Sequence, residues 1–203
     1  SGPEWTRPLR YRSRDGAPRV LDAHTPAELV GLWASRPPRL REYVGADAMR
    51  TMAATLETHR PFIDALLVAG RTESERLLLW HAFGGALLAN SLARNFDGDA
   101  AWKTLDRAPA AVDRSELAFG FGFRAGQFVN EFFDAGWRFS DEFLAHAPAA
   151  THPAFARGFG AGYRLRFLTP PPTDFESPAI TNLLGHLPSP LEQPFREGLS
   201  GAS

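Results

Sequence analysis

His146 and His186 occupy the same place in two copies of a short pattern, Leu144-Ala-His146-Ala-Pro148 and Leu184-Gly-His186-Leu-Pro188. Arg107 takes that place in a third copy, Leu105-Asp-Arg107-Ala-Pro109. Two imidazoles brought into one groove by stacked copies would serve as ligand contacts or as acid–base groups near neutral pH. The plainer use of all three is electrostatic. A cation in the last turn of a short helix offsets the partial negative charge of its free carbonyls, by about 0.3–1 kcal/mol. Glu142, one turn before His146, reads either as an i,i+4 pair or as half of a metal site.

Arg124, Gln127, Glu131, Asp134 and Arg138 recur at steps of three and four residues. They form a polar stripe that runs along an expected helix over 114–136, which also carries Phe119, Phe123, Phe128, Val129 and Phe132, and just past its end to Arg138. Such a stripe is a solvated face or the polar wall of an aromatic-lined pocket, with Phe159 and Tyr163 of the next unit completing the lining. The ligand-binding candidates are therefore Arg124, Gln127, Glu131, Phe123, Phe128, Phe159 and Tyr163, with His146 and His186. A carboxylate-bridged di-metal site asks for Glu-x-x-His spacing. Glu57, His59, His81, Glu131, Glu142 and His146 lack that spacing, so neither a metal nor another cofactor is expected. Asp97-Gly98-Asp99 reads as a loop with Asp99 capping a helix over 99–107, since the later acidic ligands of a calcium loop are missing. There is no phosphate-binding glycine loop, nucleophile elbow or His-Glu-x-x-His. No catalytic residue is identified, and the balance leans away from an enzyme.

The chain has 203 residues, no cysteine and a net charge of −1, and all its basic residues except Lys103 are arginines. Disulfides, zinc thiolates and cysteine nucleophiles are excluded, which is compatible with a cytoplasmic protein. The near-zero charge gives no general attraction to nucleic acid or anionic lipid. Trp5, Trp33, Trp80, Trp102 and Trp137 are spread along the chain like core anchors rather than a base-stacking platform. No apolar run approaches the roughly 20 residues that span a bilayer.

The elements that must position these residues are helices, so the fold class is all-α. Thr25-Pro26-Ala27-Glu28 is a capping box with proline at the first helical position. Thr72 with Glu75, Asp113 with Glu116, and Ser189-Pro190 with Glu192 repeat the logic, while Thr151 and Ser177 each stand just before a proline. Helices are predicted at 26–34, 39–58, 61–69, 73–93, 99–107, 114–136, 140–147, 152–167, 178–186 and 190–200. Residues 1–24 form a separate arm, with Asp15-Gly16 between two short extended runs, so either a small β-hairpin or an extended arm fits. Residues 25–203 form the helical domain.

Within that domain the chain repeats itself. Phe119-Gly-Phe-Gly122-Phe123-Arg-Ala125-Gly126 and Phe155-Ala-Arg-Gly158-Phe159-Gly-Ala161-Gly162 share F-x-x-G-F-x-A-G, 36 residues apart. Phe83-Gly-Gly-Ala86 and Phe195-Arg-Glu-Gly198 begin weaker copies. The Phe-Gly-Phe-Gly-Phe run alternates like a strand, but its place in the repeat assigns it to a helix. Glycines four apart lie on one helix face and let a neighbouring backbone approach closely. A long helix plus a short one per unit, with a period of about 36–40 residues, predicts a helical repeat array. No polar capping helix is evident after the last copy, which fits a chain cut short or frayed there, or else an end covered by a second protomer with Phe195 and Leu199 as self-association candidates.

The succession of L-x-x-x-P and Phe-x-x-Gly units, above all Pro194-Phe195-Arg196-Glu197-Gly198-Leu199-Ser200-Gly201-Ala202, resembles the repeated units of DUF1702 proteins found near enediyne and related polyketide clusters. The resemblance covers roughly the C-terminal 100 residues. It implies a bacterial natural-product context without a defined reaction. The function expected from the sequence is a binding or scaffold protein that holds a protein partner or an apolar small molecule. The alternatives are an enzyme or accessory factor of specialised metabolism with an aromatic-lined pocket, and a homo-oligomeric structural protein.

Overall fold

The structure is a computed structural model that describes residues 9–12, 18–21, 23–91, 96–129, 135–168 and 177–201. Two short strands, Leu9–Arg12 (β1) and Pro18–Leu21 (β2), pair antiparallel with Leu9 opposite Leu21. The Asp15-Gly16 turn expected between them lies outside the described residues. The remaining described chain is helical: Pro26–Ala34 (α1), Pro38–Ala53 (α2), Leu56–Leu67 (α3), Glu73–Ser91 (α4), Gly98–Asp106 (α5), Arg114–Phe128 (α6), Ala135–His146 (α7), His152–Phe167 (α8), Pro178–His186 (α9) and Glu192–Ser200 (α10). None of these helices is long and apolar enough to cross a membrane.

Thr25, Thr72, Asp113 and Ser177 cap helices through hydrogen bonds as read from the sequence, whereas Thr151 and Ser189 make no capping bond. Thr25 Oγ1 accepts from the N–H of Glu28, and the Glu28 carboxylate reaches back to the N–H of His24 at 2.7 Å. The same reciprocal pair opens α4: Thr72 Oγ1 accepts from Glu75 N–H and Glu75 Oε2 from Arg71 N–H. These bonds satisfy donors that a helix start leaves orphaned. At α5 the cap is Asp97, not the expected Asp99. Its Oδ1 accepts from the N–H groups of Asp99 and Ala100, while Asp99 pairs with Lys103. The expected helix over 39–58 instead ends at Ala53. Thr55, at φ −128° and ψ 59°, breaks it, and α3 then runs through Pro61 rather than starting there. The expected 114–136 helix is also two, since α6 ends at Phe128 and α7 starts at Ala135. Arg138 therefore stands on a different helix from Arg124.

Each short helix ends in the same way. The carbonyls of Pro109, Pro148 and Pro188 accept from the N–H groups of Val112, Thr151 and Leu191, three residues on, closing a turn that leads into the next long helix. Proline cannot extend the preceding helix, and its carbonyl anchors the turn that follows.

Glycines set how the long helices meet. A Cβ on Gly122 would overlap the carbonyl of Phe155, and one on Gly158 that of Phe119. Gly126 and Gly162 repeat this one turn later, against the carbonyls of Phe159 and Phe123. Positions advance together, so α6 and α8 are parallel. The same glycines of the two motif copies meet each other, so a local twofold relates α6 to α8, not the repeated translation of a simple stack. Gly84 with Gly120 joins α4 to α6 by the same reciprocal contact, and Gly160 with Gly198 joins α8 to α10. Arg41 beside Glu75 and Gly45 beside Leu79 set α2 parallel to α4.

The local twofold explains the Phe-Gly-Phe-Gly-Phe run. On a helix each residue turns by about 100°, so residues two apart point nearly opposite ways. Gly120 faces α4, Gly122 faces α8, and Phe121 points inward, stacked on Phe143 of α7 at 4.5 Å. Phe119 and Phe123 are left on the side away from α7. In the second copy the helix is turned by half a revolution. Its Phe155 and Phe159 are fully buried, against Phe143 and Trp137 of α7. The core lies between the long helices and the short helices α5 and α7, with Phe96, Phe121, Phe139, Phe143 and Phe155 at its centre.

Candidate functional site

The side of α4 and α6 that faces away from the short helices carries the groups still open to a partner. Phe119 and Phe123 are only partly buried and lie outside the core cluster. They form a stack with a histidine: the His81 ring lies 4.3 Å from that of Phe119, interplanar angle 28°, and Phe119 stacks in turn on Phe123. His81 Nε2 and Glu116 Oε2 are 2.6 Å apart, bridging α4 to α6. That hydrogen bond from His81 is the main cause holding the Glu116 carboxyl below the usual range. Partial burial works against it, and the charges of His81 and Arg157 add to the lowering. Arg157 on α8 in turn stands 4.0 Å from Glu197 on α10. A row of groups, His81, Glu116, Arg157 and Glu197, thus crosses four helices beside the aromatic stack.

Arg124 and Gln127 sit at the far end of this face. Arg124 donates from one terminal nitrogen to Gln127 Oε1 at 2.8 Å, and its guanidinium lies 4.7 Å from the centre of the Phe128 ring. Burial, reinforced by the charges of Arg50 and Arg166, lowers its pKa from the ordinary arginine value. Among the described residues it forms no ion pair.

The other predicted site residues are placed differently. Phe159 and Tyr163 are core residues, at 0% and 3% exposure, so neither ring lines an open pocket. Phe128 is partly buried against the core. Glu131 lies outside the described residues. Phe195 and Leu199 point into the chain rather than outward: both are fully buried, with Phe195 against Phe159. The outward side of α10 is polar, where Glu192 pairs with Arg196 and Gln193 with Glu197.

His146 and His186 are not brought together. His146 Nδ1 stands 4.0 Å from Asp99 at the start of α5, whereas the His186 ring stacks 4.6 Å from Trp137 at the start of α7. Trp137 and His146 are nine residues apart on α7, so about 14 Å of helix axis separates the two contacts. Arg107, the third equivalent, stands 3.7 Å from Glu57 at the start of α3. All three therefore tie the end of one short helix to the start of the previous one. Among the described residues no three histidine, aspartate or glutamate side chains group as a metal site.

Sequence reasoning missed the His81–Glu116 pair. Its signal was the repeat itself, because the two residues lie 35 apart, within one of the period that aligns neighbouring long helices. The chain matches no family model, no curated protein and no solved structure.

Proposed function

We propose that the chain is a helical-repeat binding or scaffold protein whose units are α4–α5, α6–α7, α8–α9 and α10. It holds an aromatic or apolar partner group on the outward face of α4 and α6. The observation that carries this reading is the contrast between equivalent motif positions. Phe155 and Phe159 are core residues, yet Phe119 and Phe123 present the same rings on the opposite side, next to His81. Exposing aromatic rings costs hydrophobic stabilisation of about 25 cal/mol per Å² left in water, a cost that binding recovers. The neighbouring row of His81, Glu116 and Arg157 supplies polar contacts that orient a partner at the rim. The resemblance to DUF1702 repeat units makes proteins of polyketide assembly the first partners to test.

The test uses a neutral apolar dye, Nile red, with the full chain and with a Phe119→Ser/Phe123→Ser variant. Dye bound by the parent and released by the variant, at matched helicity, supports the outward face as the site. No binding by the parent, or equal binding by the variant, refutes it.

A further inference from the structure

Away from that face, a cleft of about 210 Å³ opens where the end of α2, the start of α3, the end of α4 and α5 meet. Its walls are mainly hydrocarbon, from Leu56, Leu87, Phe96 and the methyl groups of Ala53, Ala100 and Ala101. Four polar residues complete the lining among the described residues, and three are already committed. Ser91 Oγ donates to the Leu87 carbonyl at 2.7 Å, and Thr104 Oγ1 to the Ala100 carbonyl at 2.9 Å. Asp97 Oδ1 caps α5. The fourth, Asn90, makes no side-chain hydrogen bond among the described residues, so its carboxamide is the group left to address a ligand. A carboxamide both donates and accepts, so it suits a hydroxyl or an amide equally. Among the described residues no lysine, arginine or histidine lines the cleft, and the Asp97 carboxylate at its rim repels anions.

We propose that this cleft binds a small neutral aromatic or alicyclic molecule bearing one hydroxyl or amide group, its ring among Leu56, Leu87 and Phe96 and its polar group on Asn90. The size fits, because an apolar cavity of about 150 Å³ already holds a benzene ring. The site shares no residue with the outward face of α4 and α6, so either can fail without the other.

The test is a methyl NMR titration of the full chain with phenol. The site predicts saturable shifts at the methyls of Leu56, Leu87 and Ala101. Benzoate should bind at least tenfold more weakly than phenol, through repulsion from Asp97. Asn90→Leu should weaken phenol about tenfold while leaving benzene unchanged. Ala100→Trp, at an exposed point of the wall, should fill the cleft and abolish the shifts, with unchanged helicity showing that the chain still folds. Absence of saturable shifts, or undiminished phenol binding by Ala100→Trp, overturns the site. Equal phenol affinity in Asn90→Leu overturns the polar half of the assignment.

Discussion

Replacing Gly162 by alanine tests the glycine-to-backbone contact between α6 and α8. In an isolated helix this change gains about 1 kcal/mol, because alanine is the better helix former. Here the new methyl would overlap the Phe123 carbonyl, with the Phe123 Cα only 3.0 Å away. The neighbour is backbone and cannot rotate aside, so the two helices must separate. Overpacking of this kind costs about 1–3 kcal/mol. Separation also weakens the Cα–H···O contacts at Gly162 and at its reciprocal partner Gly126, each worth about 0.5–1 kcal/mol. The balance is a net loss of about 1–4 kcal/mol, which lowers the melting temperature of a chain this size by about 2–4 °C per kcal/mol. Gly31 in α1 is the internal control, since a Cβ there meets nothing within 4 Å. Gly31→Ala should therefore stabilise, by up to about 1 kcal/mol. Urea unfolding followed by circular dichroism, with unchanged m-values, measures both. If Gly162→Ala is neutral or stabilising like Gly31→Ala, the helices are not in backbone contact and the local twofold is wrong.

Two further predictions concern buried or paired carboxylates. Glu75 is 7% exposed, and burial acts to raise its pKa, but the Arg71 N–H and the Arg41 guanidinium outweigh burial and hold it below 4.5. Its folded value being the lower, its stabilising contribution is complete above about pH 4.5 and disappears as pH falls through the folded value. Glu75→Gln should cost about 3 kcal/mol near pH 7, and its curve should converge on that of the parent chain in acid; parallel curves would show that Glu75 is not the group responsible. His81→Ala should raise the Glu116 pKa towards its ordinary value, read by carboxyl NMR titration; an unmoved Glu116 would mean that the 2.6 Å bond does not persist in solution.

The helix starts were legible because capping is local. Thr25 with Glu28 and Thr72 with Glu75 need no partner beyond one turn, and both act as read. The proline turns at Pro109, Pro148 and Pro188 were legible for the same reason. The direction of the aromatic faces was not. Phe119 and Phe155 stand in similar octapeptides, so nothing local tells one to lie half-buried beside His81 and the other to enter the core. That choice follows from the half-turn between α6 and α8, which only their mutual packing sets. Reading Phe159 and Tyr163 as pocket lining treated both copies as facing one groove, and reading Phe195 and Leu199 as exposed came from the missing capping helix; all four are buried. The stripe from Arg124 to Arg138 failed differently: its three- and four-residue steps continue across a break, since α7 starts anew at Ala135. Asp97 was passed over for Asp99 because both fit a cap, and only the hydrogen bonds to Asp99 and Ala100 N–H distinguish them.

The most direct test of the outward aromatic face is the stability of Phe123→Ala beside that of Phe159→Ala, equivalent positions in the two motif copies. Phe159 is fully buried against Trp137 and Phe195, so its loss should cost about 3–5 kcal/mol in urea unfolding. Phe123 is only partly buried, so its loss, with that of its stacking on Phe119, should cost less, about 1–3 kcal/mol. Equal costs at the two positions would mean that both rings face the core, and would contradict both the local twofold and the binding face built on it.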